Sequence, residues 1–205
     1  AMKNIIPEIM NRPIRDLSFV ILDLETTGFK PSESGVTEIA IISLKNGKEE
    51  CFETLIDPET VIPDEIVALT GIDNNMVIGK PKFRDILPMV EDLFKDSIFV
   101  SHNVPFDWSF FDYHYKKSLQ KSLKMPSLCT LRLARKFLSL KSNKLEEVAK
   151  YFQVPLIGAH RAMSDTKAVR GIINCFFDIL EDKNIYLGAD LYKHNLIFPD
   201  YPPTR

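Results

Sequence analysis

The run Phe19-Val20-Ile21-Leu22 leads directly into Asp23-Leu24-Glu25, and this junction constrains the fold more than any other stretch of the chain. A short continuous apolar run reads as a buried strand. Side chains two residues apart on a strand share a face, so Asp23 and Glu25 project together from the end of this one. Burying an unpaired charge is costly. A fold that buries this strand therefore has to bring something cationic to its end.

The rest of the chain alternates short strands with helices. Val36–Leu44 and Glu49–Ile56 read as a hairpin around Asn46-Gly47, a dipeptide that favours a two-residue turn. A short helix is expected over Asp64–Leu69, stopping at Thr70-Gly71. Apolar spacing predicts helices over Phe83–Phe94, 129–138 and 143–152, with a last long helix opening at His160-Arg161-Ala162. Residues 97–102 read as a strand, followed by a helix that Asn103 caps and that tolerates Pro105 in its first turn. This order predicts an α/β protein, a mixed central β-sheet flanked by α-helices. Residues 1–17 are expected to form a leader, 18–182 the main domain, and 183–205 a tail that is extended or docked on the body.

Composition removes several classes of function. With 45% hydrophobic and 26% charged residues in 205, the chain has the balance of a soluble globular protein. No apolar stretch approaches the roughly 20 residues that span a bilayer, so no membrane partner is expected, and no secretory signal is evident. Cys51, Cys129 and Cys175 are too far apart for a metal-spaced pair or a disulfide framework, which suits a reducing, cytoplasmic setting. A formal net charge of −2 excludes a globally basic nucleic-acid binder. The charge is uneven, however: residues 116–150 sum to +8 and the remainder to −10. That segment is either a solvated helical surface or a positive rim that steers a polyanion.

Two further acids sit on apolar faces. Asp107 lies in the first turns of its helix, with Phe110 and Phe111 as i+3 and i+4 neighbours. Asp165 shares the stripe of Val169, Ile172, Phe176 and Ile179 on the last helix. Four acids on three elements would repel one another if they converged without cations. A pair of divalent ions balances four carboxylates, and hard oxygen ligands suit Mg²⁺ or Mn²⁺ rather than zinc. Two such ions about 3.5–4 Å apart can clamp the attacking and leaving oxygens of a phosphoryl displacement.

The stretches "DLETTG" (23–28), "SHNVPFD" (101–107) and "HRAMSD" (160–165) resemble the three exonuclease motifs of the DEDDh 3′–5′ exonucleases, in particular the proofreading epsilon-subunit type of bacterial DNA polymerase III. The resemblance spans roughly residues 18–180. It implies a ribonuclease H-like fold and a metal-dependent hydrolase that releases 5′-mononucleotides from single-stranded or frayed 3′ ends of DNA. It also implies Asp23, Glu25, Asp107 and Asp165 as ligands of two Mg²⁺ or Mn²⁺ ions, with His160 as general base. Thr26, Thr27 and Gly28 match the stretch that holds the terminal nucleotide, and Phe29 the apolar wedge against its base. Thr70 and Gly71, with Ile66 nearby, match the loop enclosing that base, and His102, Asn103 and Phe106 frame the scissile nucleotide. The implied partners are DNA and a DNA polymerase. The alternatives are a stand-alone repair enzyme, an exoribonuclease of the ribonuclease T or oligoribonuclease type acting on RNA, and an inactive nucleic-acid-binding scaffold.

Overall fold

In the computed structural model, which describes residues 6–201, the apolar run becomes β1 (Phe19–Thr26). Its two faces feed two cores. Phe19 and Ile21 join one apolar cluster, and Val20, Leu22 and Leu24 join the other. The period of two that sends these residues to opposite sides also fixes Asp23 and Glu25 on the Phe19/Ile21 side.

Around β1 the chain assembles β2 (Val36–Lys45), β3 (Lys48–Leu55), β4 (Ile98–Ser101), β5 (Met125–Cys129) and β6 (Phe198–Tyr201). They form one sheet in the order β3-β2-β1-β4-β5-β6. β1, β4 and β5 are parallel neighbours, whereas β2, β3 and β6 pair antiparallel. The sheet is thus mixed, as expected. The β2–β3 turn is the two-residue one that Asn46-Gly47 favours, with both residues at positive φ (51° and 74°).

The helices are α1 (Ile6–Met10), α2 (Asp64–Thr70), α3 (Phe83–Phe94), α4 (Val104–Leu119), α5 (Thr130–Phe137), α6 (Leu145–Tyr151), α7 (Ala162–Asp182) and α8 (Gly188–Lys193). α3 and α4 cover the Val20/Leu22/Leu24 face, and α7 covers the Phe19/Ile21 face. α7 buries Val169, Ile172, Ile173, Phe176, Phe177 and Leu180, a helical stripe that also carries the buried Asp165. Each such apolar side chain contributes about 1.5–3 kcal/mol when fully buried. No helix among the described residues is long and apolar enough to cross a membrane.

Two expectations change. Residues 125–129 form a strand where only the following helix was anticipated. Pro126 removes a ladder donor and obscures the strand pattern, and the β5–β6 pairing shifts register between Met125 and Ser127. Asn103 starts α4 without a side-chain cap bond; its carbonyl instead accepts the amides of Phe106 and Asp107. The leader and tail also meet each other. Ile14 N–H donates to Tyr186 O (2.8 Å) and Gly188 N–H to Arg12 O (2.9 Å). Ile9, Ile14, Leu191 and Leu196 are buried in the same cluster as α7. Residues 1–5 and 202–205 of the expected leader and tail lie outside the described residues.

Candidate active site

The face of β1 that begins with Phe19 and Ile21 ends with Asp23 and Glu25, and α7 lies across it. The first turn of α7 sets Asp165 beside them. One carboxylate oxygen from each of Asp23, Glu25 and Asp165 lies within 4.8 Å of the other two. Asp107 arrives from the far layer, on the first turn of α4, and is 4% exposed. It does not join the 4.8 Å set, but it is close enough to be the strongest charge acting on Asp23 after burial. The β1–β4 pairing ends at Ile21, which leaves the end of β1 that carries Asp23 and Glu25 beyond the β4 ladder.

The electrostatics are those of crowded acids, with burial the leading cause at each of the four. Burial, then Asp107, Glu25 and Asp165, push Asp23 well above the usual carboxylate range. Burial, then Asp165 and Glu38, raise Glu25 to about 8. Burial raises Asp107 to about 7, with the Ser101 hydroxyl and the Leu24 and Asp107 amides opposing it. Burial raises Asp165 to about 6 against the lowering influence of His160. Asp23 Oδ2 and Asp165 Oδ1 are buried with no hydrogen-bond partner among the described residues. Orphaned carboxylate oxygens inside a ring of acids are the surroundings a hard divalent cation requires, so the residues fit the ions expected from the sequence.

His160 stands on the loop before α7, at φ 65°. This left-handed backbone is costly for a residue other than glycine. Its amide donates to Asp165 Oδ2 (3.3 Å), and its half-exposed ring places Nε2 3.7 Å from Glu146 Oε1. His160 and Asp165 line an open groove of about 710 Å³ together with Leu69, His102 and Asn103.

The other expected contacts divide into free and committed groups. Phe29 is 76% exposed and Asn103 is exposed. Thr26 Oγ1 donates to Gly28 O (2.7 Å), and Thr27 Oγ1 accepts the Gly35 amide (2.9 Å), so both hydroxyls shape the turn. A Cβ on Gly28 would come within 2.6 Å of Ser34 Oγ, so a larger residue there would have to turn the Ser34 side chain aside. Thr70 Oγ1 donates to Ile66 O, and Gly71 ends α2 at φ 72°. Ile66 is 6% exposed in a small cluster with Ile62, Ile72 and Val77. The apolar side chain that α2 presents to the groove is Leu69, not Ile66. Phe106 is half-buried against Phe110, with ring centroids 5.1 Å apart. Both ring nitrogens of His102 are occupied, by Thr130 Oγ1 (2.9 Å) and Asn143 O (2.8 Å), and burial holds its pKa below the usual histidine value.

Sequence reasoning missed Glu38 and Arg161. Glu38, 4% exposed on β2, accepts Arg161 Nη2 (2.9 Å) and Nε (3.2 Å), and its Oε2 accepts the Ala162 amide (2.9 Å). A strand carboxylate thus caps α7 in place of a local side chain, and fixes the helix start that carries His160 and Asp165. The signal was present: Glu38 interrupts the run Val36–Leu44 as Asp23 interrupts its own.

Comparison with known proteins agrees with this geometry. Residues 20–172 match the family described as RNase_T, exonuclease. DNA polymerase III subunit epsilon of Aquifex aeolicus (strain VF5) is 39% identical over 175 residues, covering 84% of this chain and 85% of that protein. A PolC-type DNA polymerase III of Clostridium perfringens (strain 13 / Type A) is 37% identical over 173 residues, which are 82% of this chain and 12% of that longer protein. Among solved structures, exonuclease X in complex with 5′ overhanging duplex DNA has a TM-score of 0.62 at 23% identity, covering 81% of this chain and 93% of that one. That likeness is one of fold, and the mixed sheet is ribonuclease H-like. By its motifs, its fold and its relatives, this chain belongs to the RNase_T exonuclease family and is a 3′–5′ exonuclease.

Proposed function

We propose that the chain removes mononucleotides from single-stranded or frayed 3′ ends of DNA, with Asp23, Glu25, Asp107 and Asp165 holding two divalent ions, Mg²⁺ or Mn²⁺. The observation that carries this is the set of clustered carboxylates with orphaned oxygens on Asp23 and Asp165, of which Asp165 lines the groove. Bound there, the ions would supply positive charge to the scissile phosphate and acidify a water. His160 is the proton acceptor for that water: its half-exposed ring sits on the loop beside Asp165, and a neutral imidazole nitrogen can take up a proton. Phe29 and Leu69 offer exposed apolar surface to an unstacked terminal base. Asn103 offers a polar side chain from the groove wall.

The Aquifex relative is a DNA polymerase III subunit, which favours DNA over RNA and makes a DNA polymerase the partner class to test. Free Cys51, Cys129 and Cys175 suit a cytoplasmic setting. The test is a timed digestion of single-stranded DNA, duplex DNA with matched or mismatched 3′ ends, and RNA, with Mg²⁺ or Mn²⁺. Faster trimming of the single strand and of the mismatched end is expected. Faster trimming of RNA than of DNA would overturn the substrate assignment.

A further inference from the structure

The basic segment 116–150 divides in the fold. Lys116 pairs with Asp112 (2.6 Å), Lys121 with Glu91 (2.9 Å) and Lys124 with Asp200 (3.7 Å). Lys136 donates to His194 O (3.1 Å), and Arg132 stacks over the Phe198 ring at 4.1 Å. Arg135, Lys141 and Lys144 make no ion pair among the described residues, and all three line the groove that holds His160 and Asp165.

The stretch that carries two of these cations is anchored. The Asn143 carbonyl can only accept, so His102 Nε2 donates to it, and Nδ1 accepts from the Thr130 hydroxyl. His102 thereby ties the α5–α6 connection to the end of β4, with Lys141 and Lys144 on either side of the tether. Holding unpaired cations in one groove raises the local potential and favours an anion there. The acid cluster accounts for one phosphate, the scissile one. In a strand entering by its 3′ end, every other phosphate lies upstream of the terminal nucleotide.

We propose that Arg135, Lys141 and Lys144 form a phosphate-binding strip that holds the backbone of single-stranded DNA upstream of the nucleotide being removed. The proposal rests on the exonuclease reading above and extends it to the remainder of the substrate. Such contacts position a strand without reading its sequence.

The test measures binding and small-substrate chemistry separately. Binding of a labelled strand of about twelve nucleotides, with cleavage-resistant phosphorothioates at its 3′ end, is followed by anisotropy in Mg²⁺ from about 50 to 300 mM salt. The triple variant Arg135→Gln, Lys141→Gln, Lys144→Gln is expected to flatten the log Kd against log salt slope by about 2, and to weaken binding roughly 100-fold near 0.1 M salt. Its kcat/KM for the p-nitrophenyl ester of thymidine 5′-monophosphate, which has no upstream phosphate, is expected to stay at the wild-type value. A second variant, Lys116→Gln, Lys117→Gln, Lys121→Gln, removes the same charge elsewhere in the segment and is expected to leave the slope unchanged. An unchanged slope in the first variant, or equal flattening in both, would overturn the strip. Failure of the wild type to cleave the ester would count against the exonuclease reading alone, because anisotropy still reports on the strip.

Discussion

Glu25 and Glu38 are register partners across β1 and β2, and both are buried. Glu38 is fully partnered, by the Arg161 guanidinium and the Ala162 amide. Glu25 faces Asp23 and Asp165, and its pKa is raised to about 8. One residue type at one depth thus has two fates. A carboxylate given a cation and a helix amide fixes structure. Carboxylates crowded together with oxygens left over keep a place for ions from solution. Burial alone does not mark a functional acid; burial without a partner does.

The sharpest way to break this contrast is Asp23→Ala. It should reduce Mg²⁺-dependent nucleotide release by about a thousandfold or more, while the metal-free protein keeps or gains thermal stability because an unpaired buried acid has gone. A variant that stays active in a single-turnover assay, or that unfolds like a core mutant, would erase the distinction between the two sets of acids.

Glu38→Ala should do the reverse and act first on stability. It leaves the Ala162 amide without an acceptor and Arg161 without its partner, at a cost of about 1–3 kcal/mol. This lies below the range for a fully buried pair because the Arg161 side chain is 46% exposed. Urea unfolding measures the loss, and activity at low temperature should survive better than in Asp23→Ala.

The smallest effect is a dependence on pH. Glu25, Asp107 and Asp165 have folded-state pKa values raised to about 8, 7 and 6, so the folded protein binds more protons than the unfolded chain across that range. The contribution of these three acids to the stability of the metal-free protein should therefore be fully present below the ordinary carboxylate pKa and be lost as pH rises from about 4 to 8. Mg²⁺ should raise the melting temperature more at pH 8 than at pH 5, since it binds the ionised acids. Calorimetry with and without Mg²⁺ measures both; equal stabilisation at the two pH values would contradict the cation role of the cluster.

Much of the site was legible because local periodicity carried it. Alternation along β1 placed Asp23 and Glu25 on one face, and the helical stripe of α7 placed Asp165 among Val169, Ile172 and Phe176. The same local logic gave the hairpin at Asn46-Gly47. It could not separate Ile66 from Leu69, because both are apolar on a helix of seven residues, and only packing buries the first and turns the second to the groove. Nor could it show that both nitrogens of His102 are committed, since Asn143 lies 41 residues away.

By itself, then, the sequence determined which face each acid occupies, where the hairpin turns and that unpaired carboxylates gather at a strand end. These follow from the geometry of neighbouring residues, which repeats every two or 3.6 positions. Only the tertiary structure decided that β5 and the tail strand β6 complete the sheet, that Glu38 is satisfied by Arg161 from 123 residues away, and that three cations of the basic segment line the groove while others find acids or carbonyls. Those are meetings between distant parts of the chain. No local period encodes them, because they depend on which surfaces the buried core brings together.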